Sequence, residues 1–542
     1  MDRILLYPVF LPLAAGFVLL FLPRGARPLF KLVTVVVSLV AFGLAVQIFR
    51  LEQAAYDWPI LALGEFQLDL LLTATPLGSF ILMFAMGFGV LITLYSLSSR
   101  APVARANEYY GSLLLAVGGS AGILLTDHLL FLLIFWEIVT AALYLLISTG
   151  GKHSDFAATK SFALIGASDA GLLLGIGMVW ALSGTFVISQ IQLPATGSLP
   201  IIAFLLLALA AVTKAGAIPL QTWLPAGGEY APPSVMALLP GAIDKLLGIY
   251  LLLVTVTRLF VLESGPLTLV LAVVGATTIV VGAMVALVQH NLKKLLAYSA
   301  ISQVGYMLLG IATLTPVGLA GGIFHMLNNA IYKSCLFLCG GAVEEATGTA
   351  RLDALGGLGR KMPLTFAAGL IAVLSLSGLP PLNGFASKWM IYQAVVQMGA
   401  GEAGTGAALW PLWLLATMFG SALTLAYGVK ILHSVFLSRL PDRLAKVKEV
   451  APLQTFPMLV LASLCVLFGV FYMAPLGTFI LPALGIAAEP GLFIGTWDSQ
   501  RATWLLLVGI GVGVGILAVW AFRKKLRTVP TWTCGEIQPN DE

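Results

Sequence analysis

Apolar windows of about 20 residues or more follow one another along the chain, at 4–22, 32–49, 77–97, 109–126, 128–148, 157–183, 199–219, 234–256, 267–289, 296–314, 315–343, 363–398, 408–437, 455–475 and 503–522. Each is long enough to cross roughly 30 Å of hydrocarbon as a helix. The pattern predicts fifteen spans, numbered here in that order, with breaks hidden inside the longest windows. No long polar stretch separates them, which predicts one integral membrane domain and no soluble catalytic domain. The first window lacks a basic leader and a small-residue cleavage site, so it reads as a retained span.

Composition agrees: 59% of residues are hydrophobic and 10% charged, against about 25% charged in soluble domains. The net charge of +5 says less than its distribution. Loops after spans 1, 3, 5, 9, 11 and 13, with the C-terminal tail, hold 19 of the 29 Lys and Arg residues. The alternate loops and the N-terminus hold only Arg3, Arg50, Arg258 and Arg501. Basic loops mark the cytoplasmic side, which places the N-terminus outside and the C-terminus, after Arg523, Lys524, Lys525 and Arg527, inside. Scattered over short loops without an aromatic platform, these cations do not describe a nucleic-acid surface. Cys335 and Cys339 share a helix face, but no second pair or His cluster joins them. They read as small buried hydrophobes, and no metal site is expected.

The remaining charges lie where lipid should be: Glu137, Lys160, Asp169, Lys214, Asp244, Lys245, Lys333, Lys388 and Lys430. A charge at mid-span costs on the order of 3 kcal/mol on insertion scales. Glu137 and Lys245 are too deep to snorkel easily, whereas Lys160 sits near an end of its span. Asp244 and Lys245 are adjacent and point to different sides of one helix. Burial favours a neutral lysine and a nearby carboxylate favours a charged one, so alternating partners can pass protons. Arginine keeps its proton, and no arginine falls inside a span. The set therefore points to proton handling rather than anion binding.

The lysines are patterned. Lys160, Lys214 and Lys245 fall in spans 6, 7 and 8, and Lys333, Lys388 and Lys430 in spans 11, 12 and 13, at offsets of 173, 174 and 185 residues. Five spans is an odd number, so the second set would run upside down relative to the first, an inverted-topology repeat. Helix breaks match as well. Span 7 leads into IPLQTWLPAGGEYAPP, and span 12 contains SLSGLPPLNGFASK just before Lys388. Unwound backbone at membrane depth is tolerated only against protein or a water-filled cavity, so Lys214 and Lys388 are expected to sit beside such sites. His325, Asn328, Asn329 and Lys333 lie on roughly one face of span 11.

The stretches KAGAIPLQTWLPAGGEYAPPSVMALLPGAIDKLLGIYLL, NLKKLLAYSAISQVGYMLLGI, FHMLNNAIYKSCLFLCGGAV and LGGLGRKMPLTFAAGLIAVLSLSGLPPLNGFASK strongly resemble the antiporter-like subunits of respiratory complex I. That family includes the large subunits of Mrp-type cation/proton antiporters and of membrane-bound energy-converting hydrogenases. The resemblance runs from about span 3 to span 13. It implies an all-α polytopic membrane protein of about 15 transmembrane helices, with two inverted five-helix repeats, spans 4–8 and 9–13, and broken helices 7 and 12. The corresponding parts are 1–107, 108–258, 264–437 and 438–542. It further implies that Glu137 and Lys214 form the glutamate–lysine pair of a first half-channel, with Glu137 modulating the charge of Lys214. Lys245 would bridge toward the centre, His325 and Lys333 would form a polar axis, and Lys388 would end the relay. Lys160, Asp244, Asn328 and Lys430 are auxiliary candidates.

Some positions depart from the family pattern. Asn329 stands where many relatives carry histidine, and Asp244 beside Lys245 is unusual. The chain lacks room for the long lateral helix of the largest complex I subunit, and its ending TWTCGEIQPNDE looks more like the hydrogenase-type members.

The reading is an ion-translocating subunit, moving protons and in the alternative also Na⁺, inside a larger complex of other membrane subunits and a peripheral redox module. The sequence shows no Rossmann glycines, haem signature or cysteine cluster. No cofactor is expected in this chain, and iron–sulfur with nickel–iron or flavin centres are expected in partners. A prokaryotic inner membrane is the expected location. The competing readings are an Mrp-type exchanger, a solute symporter and a scaffold that has lost transport. A symporter should gather its polar groups around one cavity, and a scaffold should lose the in-span lysines first.

Overall fold

The computed structural model describes residues 2–23, 25–51, 54–63, 66–99, 105–262, 265–401, 405–486 and 499–523. Lys524, Lys525, Arg527 and Cys534 lie outside these. Two compact units are present, Met1–Gly495 and Thr496–Glu542; the described part of the second is the apolar helix Ser499–Arg523, span 15.

In the first unit the spans are Tyr7–Phe21, Arg27–Phe49, Pro76–Ser96, Ala106–Leu125, Leu129–Ser148, Ser154–Ser183, Ser198–Ala215, Pro233–Leu259, Pro266–Leu287, Leu292–Ala312, Pro316–Thr347, the pair Pro363–Ser377 and Asn383–Gly401, Trp410–Leu437 and Pro452–Val470. Among the described residues thirteen helices, span 15 included, are long and apolar enough to cross a membrane. Span 11, with its polar run, and the broken span 12 complete the fifteen windows. Proline at N1 or N2 starts several spans, and Thr75, Asn291 and Thr315 cap spans 3, 10 and 11 by accepting the N–H of Gly78, Lys294 and Gly318.

Two elements were not expected. A β-hairpin pairs Ala55–Leu63 with Phe66–Thr73 between spans 2 and 3, and a short apolar helix, Met473–Leu484, follows span 14. The hairpin's ladder satisfies backbone that a simple loop would leave to water.

Both breaks share one pattern. Span 7 stops at Ala215, Gly216 turns left-handed at φ 89°, and the chain passes cis Pro219 into a second piece, Trp223–Tyr230. Span 12 stops at Ser377, Gly378 turns left-handed at φ 77°, and the chain passes cis Pro381 into Asn383–Gly401. The motif is Gly-x-x-Pro in both, 162 residues apart. Isolated bridges repeat at similar spacing: His128 pairs with Val187, and Asn291 with Arg351.

Every residue of span 8 from Ser234 to Val256 is buried. It packs on span 7 through Gly248, where a Cβ would meet the Ala211 carbonyl at 2.5 Å. Span 11 packs against spans 8, 10, 12 and 14. These two helices join the halves, and large apolar side chains of spans 1, 2, 6 and 13 face outward as a lipid-facing surface.

Candidate functional site

Span 5 turns Trp136 and Thr140, one helical turn apart, toward Asp169 on span 6. Trp136 Nε1 donates to Asp169 Oδ1 at 2.8 Å, and Thr140 Oγ1 lies 3.1 Å from Asp169 Oδ2. Thr140 also accepts from Lys214 Nζ at 2.8 Å, and that ammonium lies 4.9 Å from the Trp136 ring centroid. A hydroxyl that accepts from an ammonium and donates to a carboxylate is a one-atom bridge between them. All four side chains are buried.

Glu137 makes no hydrogen bond to this group, although the charges of Lys214 and Asp169 act on it. It is exposed on the outer face of span 5, beside Ile134, and Lys214 donates to Thr140 instead. One residue is about 100° of helix rotation, so Trp136 and Glu137 cannot both face inward.

On span 8 a π-helical turn, Leu239–Ile243, precedes Asp244. Lys245 Nζ donates to the Pro240 carbonyl at 2.7 Å and to the Ala215 carbonyl at 3.3 Å. Both acceptors are backbone oxygens at interruptions of regular helix, where carbonyls lose their usual partners. Asp244 is fully buried, and neither carboxylate oxygen has a hydrogen-bond partner.

Span 11 supplies the next groups. Lys333 Nζ donates to Ser299 Oγ and lies 3.5 Å from the Leu296 carbonyl. His325 Nδ1 is 2.9 Å from Ser387 Oγ, and its Nε2 is 3.5 Å from the Tyr332 hydroxyl. Asn328 exchanges bonds with Asn383, donating to its carbonyl at 2.9 Å and accepting from its amide at 3.0 Å. The Asn329 amide is buried without a partner. Lys388 Nζ donates to the Leu376 carbonyl at 3.0 Å and lies 4.7 Å from the Tyr306 ring centroid. Charges link neighbours along this row: Asp169 with Lys214, Asp244 with Lys214 and Lys245, Lys333 with Lys245 and Lys388, and His325 with Lys388.

Lys214 and Lys388 fall on the two broken helices, spans 7 and 12, but on opposite sides of the breaks: counting back 162 residues puts Lys214 opposite Leu376. Lys245 and Lys388 each donate to a carbonyl at the end of the first half of a broken helix. Lys430 donates to the Leu287 and Gln289 carbonyls at 2.8 and 2.7 Å and closes the end of span 9. Lys160 is half-buried on span 6. Asp169, Thr140, Ser299 and Ser387 were absent from the expected site. Asp169 carried a signal, a charge at mid-span; hydroxyls carry none until a helix face is known.

A cavity lies apart from the row, at the end of span 6. It encloses about 630 Å³ lined by Asp57, Asp69, His128, Trp180 and Phe186 among others. Burial pushes the His128 imidazole down from its ordinary value, and pushes the nearby Asp127 carboxyl up despite two hydrogen bonds from Ser189. The lysine row shows more of the chemistry than this mouth. No group of three or more His, Cys, Asp or Glu among the described residues is placed to hold a metal ion.

The model of the NADH:quinone oxidoreductase/Mrp antiporter transmembrane family matches residues 126–405. The NADH-quinone oxidoreductase subunit N of Desulforudis audaxviator is 31% identical over 393 residues, covering 70% of this chain and 75% of that protein. The Na(+)/H(+) antiporter subunit A1 of Staphylococcus haemolyticus is 31% identical over 471 residues; this covers 81% of the chain but only 57% of that longer protein. Among solved structures, a chain of the archaeal membrane-bound sulfane sulfur reductase superposes with a TM-score of 0.82 at 28% identity, covering 100% of this chain and 88% of that one. The chain belongs to the NADH:quinone oxidoreductase/Mrp antiporter transmembrane family. It is a multi-pass membrane protein, and its relatives are subunits of multi-subunit membrane complexes.

Proposed function

We infer that the chain is the proton-translocating subunit of a redox-driven membrane complex. Protons pass along the buried row of Asp169, Lys214, Asp244, Lys245, Lys333, His325 and Lys388. The observation that carries this reading is the continuity of that row across both halves. Each lysine is held by a hydroxyl or a carbonyl rather than locked in a direct ion pair. An ammonium so held is satisfied and can still release its proton to the next group. Glu137, on the outer face at the depth of Lys214, is positioned to bias that lysine from a neighbouring subunit's side.

The redox centres, iron–sulfur with nickel–iron or flavin, belong in partner subunits, and the location is a prokaryotic inner membrane with the N-terminus outside and the C-terminus in the cytoplasm. The sulfane sulfur reductase neighbour supports a respiratory assembly of this kind. Exchange of Na⁺ for H⁺ is the second reading, favoured by the antiporter relative that covers most of the chain.

The test is the intact complex in sealed vesicles, with internal pH followed by a dye during turnover. Lys214→Ala is expected to abolish proton uptake while the redox module keeps its activity, and Glu137→Gln to impair uptake. Unimpaired uptake in Lys214→Ala overturns the reading, and uptake that requires external Na⁺ selects the second.

A further inference from the structure

Asp244 is the one mid-membrane charge in the row without a bonded partner. Asp169 has Trp136 and Thr140, Lys214 has Thr140, Lys245 has two carbonyls, Lys333 has Ser299 and Lys388 has the Leu376 carbonyl. Asp244 is equally buried, and both its oxygens are bare. A buried carboxylate without a donor is costly, far more so than a neutral polar group. Such a group persists where a partner reaches it in another arrangement of the same helices.

Three charges act on Asp244: Lys214 from span 7, its neighbour Lys245 on span 8, and Asp169 from span 6. Lys245 points to another side of the helix and is already held by Pro240 and Ala215. Lys214 is held more loosely, by one hydroxyl and the face of an indole. Its side chain ends a helix that stops one residue later, and four rotatable bonds let its ammonium sweep without moving backbone.

We propose that Asp244 is a second carboxylate dock for the Lys214 ammonium, and that Lys214 moves between Thr140–Asp169 and Asp244 to carry charge toward the second half. At the first dock the ammonium faces spans 5 and 6. At the second it faces span 8, whose lysine adjoins Lys333. The proton transfer there is balanced: an N–H bond of Lys214 breaks, an O–H bond on Asp244 forms, and a neutral amine and a neutral acid remain. Asp244 thus acts as a relay group that accepts the proton and sets the direction in which Lys214 discharges. This rests on the proton-row reading above.

The experiment uses the intact complex in sealed vesicles and compares Asp244→Asn, Asp244→Glu and Lys214→Ala. The expected result is assembled Asp244→Asn complex with proton uptake at least tenfold slower and a changed pH profile, and Asp244→Glu restoring most of the rate. Asp244→Asn with wild-type rate and profile overturns the proposal. If Asp244→Asn fails to assemble, Asp244→Glu decides: a shifted pH profile supports the dock and an unchanged one overturns it. Lys214→Ala separates the two claims. Uptake lost there but intact in Asp244→Asn defeats the dock alone, and uptake intact in both defeats the row.

Discussion

In spans 4–8 two mid-membrane lysines, Lys214 and Lys245, share the interior with two buried carboxylates, Asp169 and Asp244. In spans 9–13 Lys333 and Lys388 share theirs with a histidine, asparagines and hydroxyls, and no carboxylate is buried there among the described residues. The exchange is local. An offset of 163 residues puts Ser299 opposite Trp136 and Gln303 opposite Thr140, while Lys333 falls one residue past the position opposite Asp169. Where the first half sets an acid against span 5, the second sets a base against span 10. An ion pair at about 4 Å is worth on the order of 4 kcal/mol at an effective dielectric of 20, so this difference is large. A proton added to the first half is balanced by an acid, whereas one added to the second raises its net charge. The halves share a backbone plan and differ in what they can hold.

The sharpest way to break this comparison is to remove one ammonium from each half. Lys214→Met leaves two buried carboxylates short of a counter-charge and removes the charge-assisted bond to Thr140, which should cost about 2–3 kcal/mol. Lys388→Met leaves no buried acid behind, so its stability loss should be smaller, about 1 kcal/mol, near the centre of the range for single substitutions. Both should stop proton uptake. Thermal unfolding of the purified complexes checks the contrast, and equal destabilisation would falsify the charge asymmetry.

Asp169→Asn should come next, with uptake at least tenfold slower and a stability loss of about 2–3 kcal/mol, because a charge-assisted hydrogen bond is lost from a buried site. Ser299→Ala, which removes the hydroxyl that holds Lys333, should cost about 1 kcal/mol and slow uptake only a few-fold. Vesicle uptake and denaturation read both. Lys430→Met should lower stability by about 1 kcal/mol through the lost cap of span 9 and leave uptake within about twofold.

The smallest effect concerns the bridge positions, His128 in the first half and Asn291 in the second. Burial depresses the His128 imidazole, so the unfolded chain binds its proton more readily than the folded one. The stability it contributes is present above an unfolded value of about 6.5 and is lost as pH falls through the folded value. His128→Asn, which copies the second half, should flatten the acid side of the thermal stability profile by under about 1 kcal/mol.

Much of this was legible in the chain. The fifteen windows, both breaks and every lysine of the row follow from composition and from glycine and proline placement. The span-by-span pattern of the lysines was legible, but not that Lys214 and Lys388 lie on opposite sides of their breaks. Glu137 was expected beside Lys214, yet it faces outward while Trp136 and Thr140 face in. The hairpin passed unnoticed because its strands carry Pro59 and Asp69 within them and lie between the apolar windows.

The sequence by itself determined that the chain crosses the membrane many times, where its helices stop, and which residues bring charge into the interior. Those properties are local: about 20 apolar residues make a span, and Gly-x-x-Pro ends one. Only the tertiary structure decided which charges meet. A helix turns about 100° per residue, so Glu137 and Trp136 face different sides, and only packing fixes which side of span 5 is inward. The same packing brings Lys214 to Thr140 rather than to a carboxylate directly, and leaves Asp244 bare between two lysines.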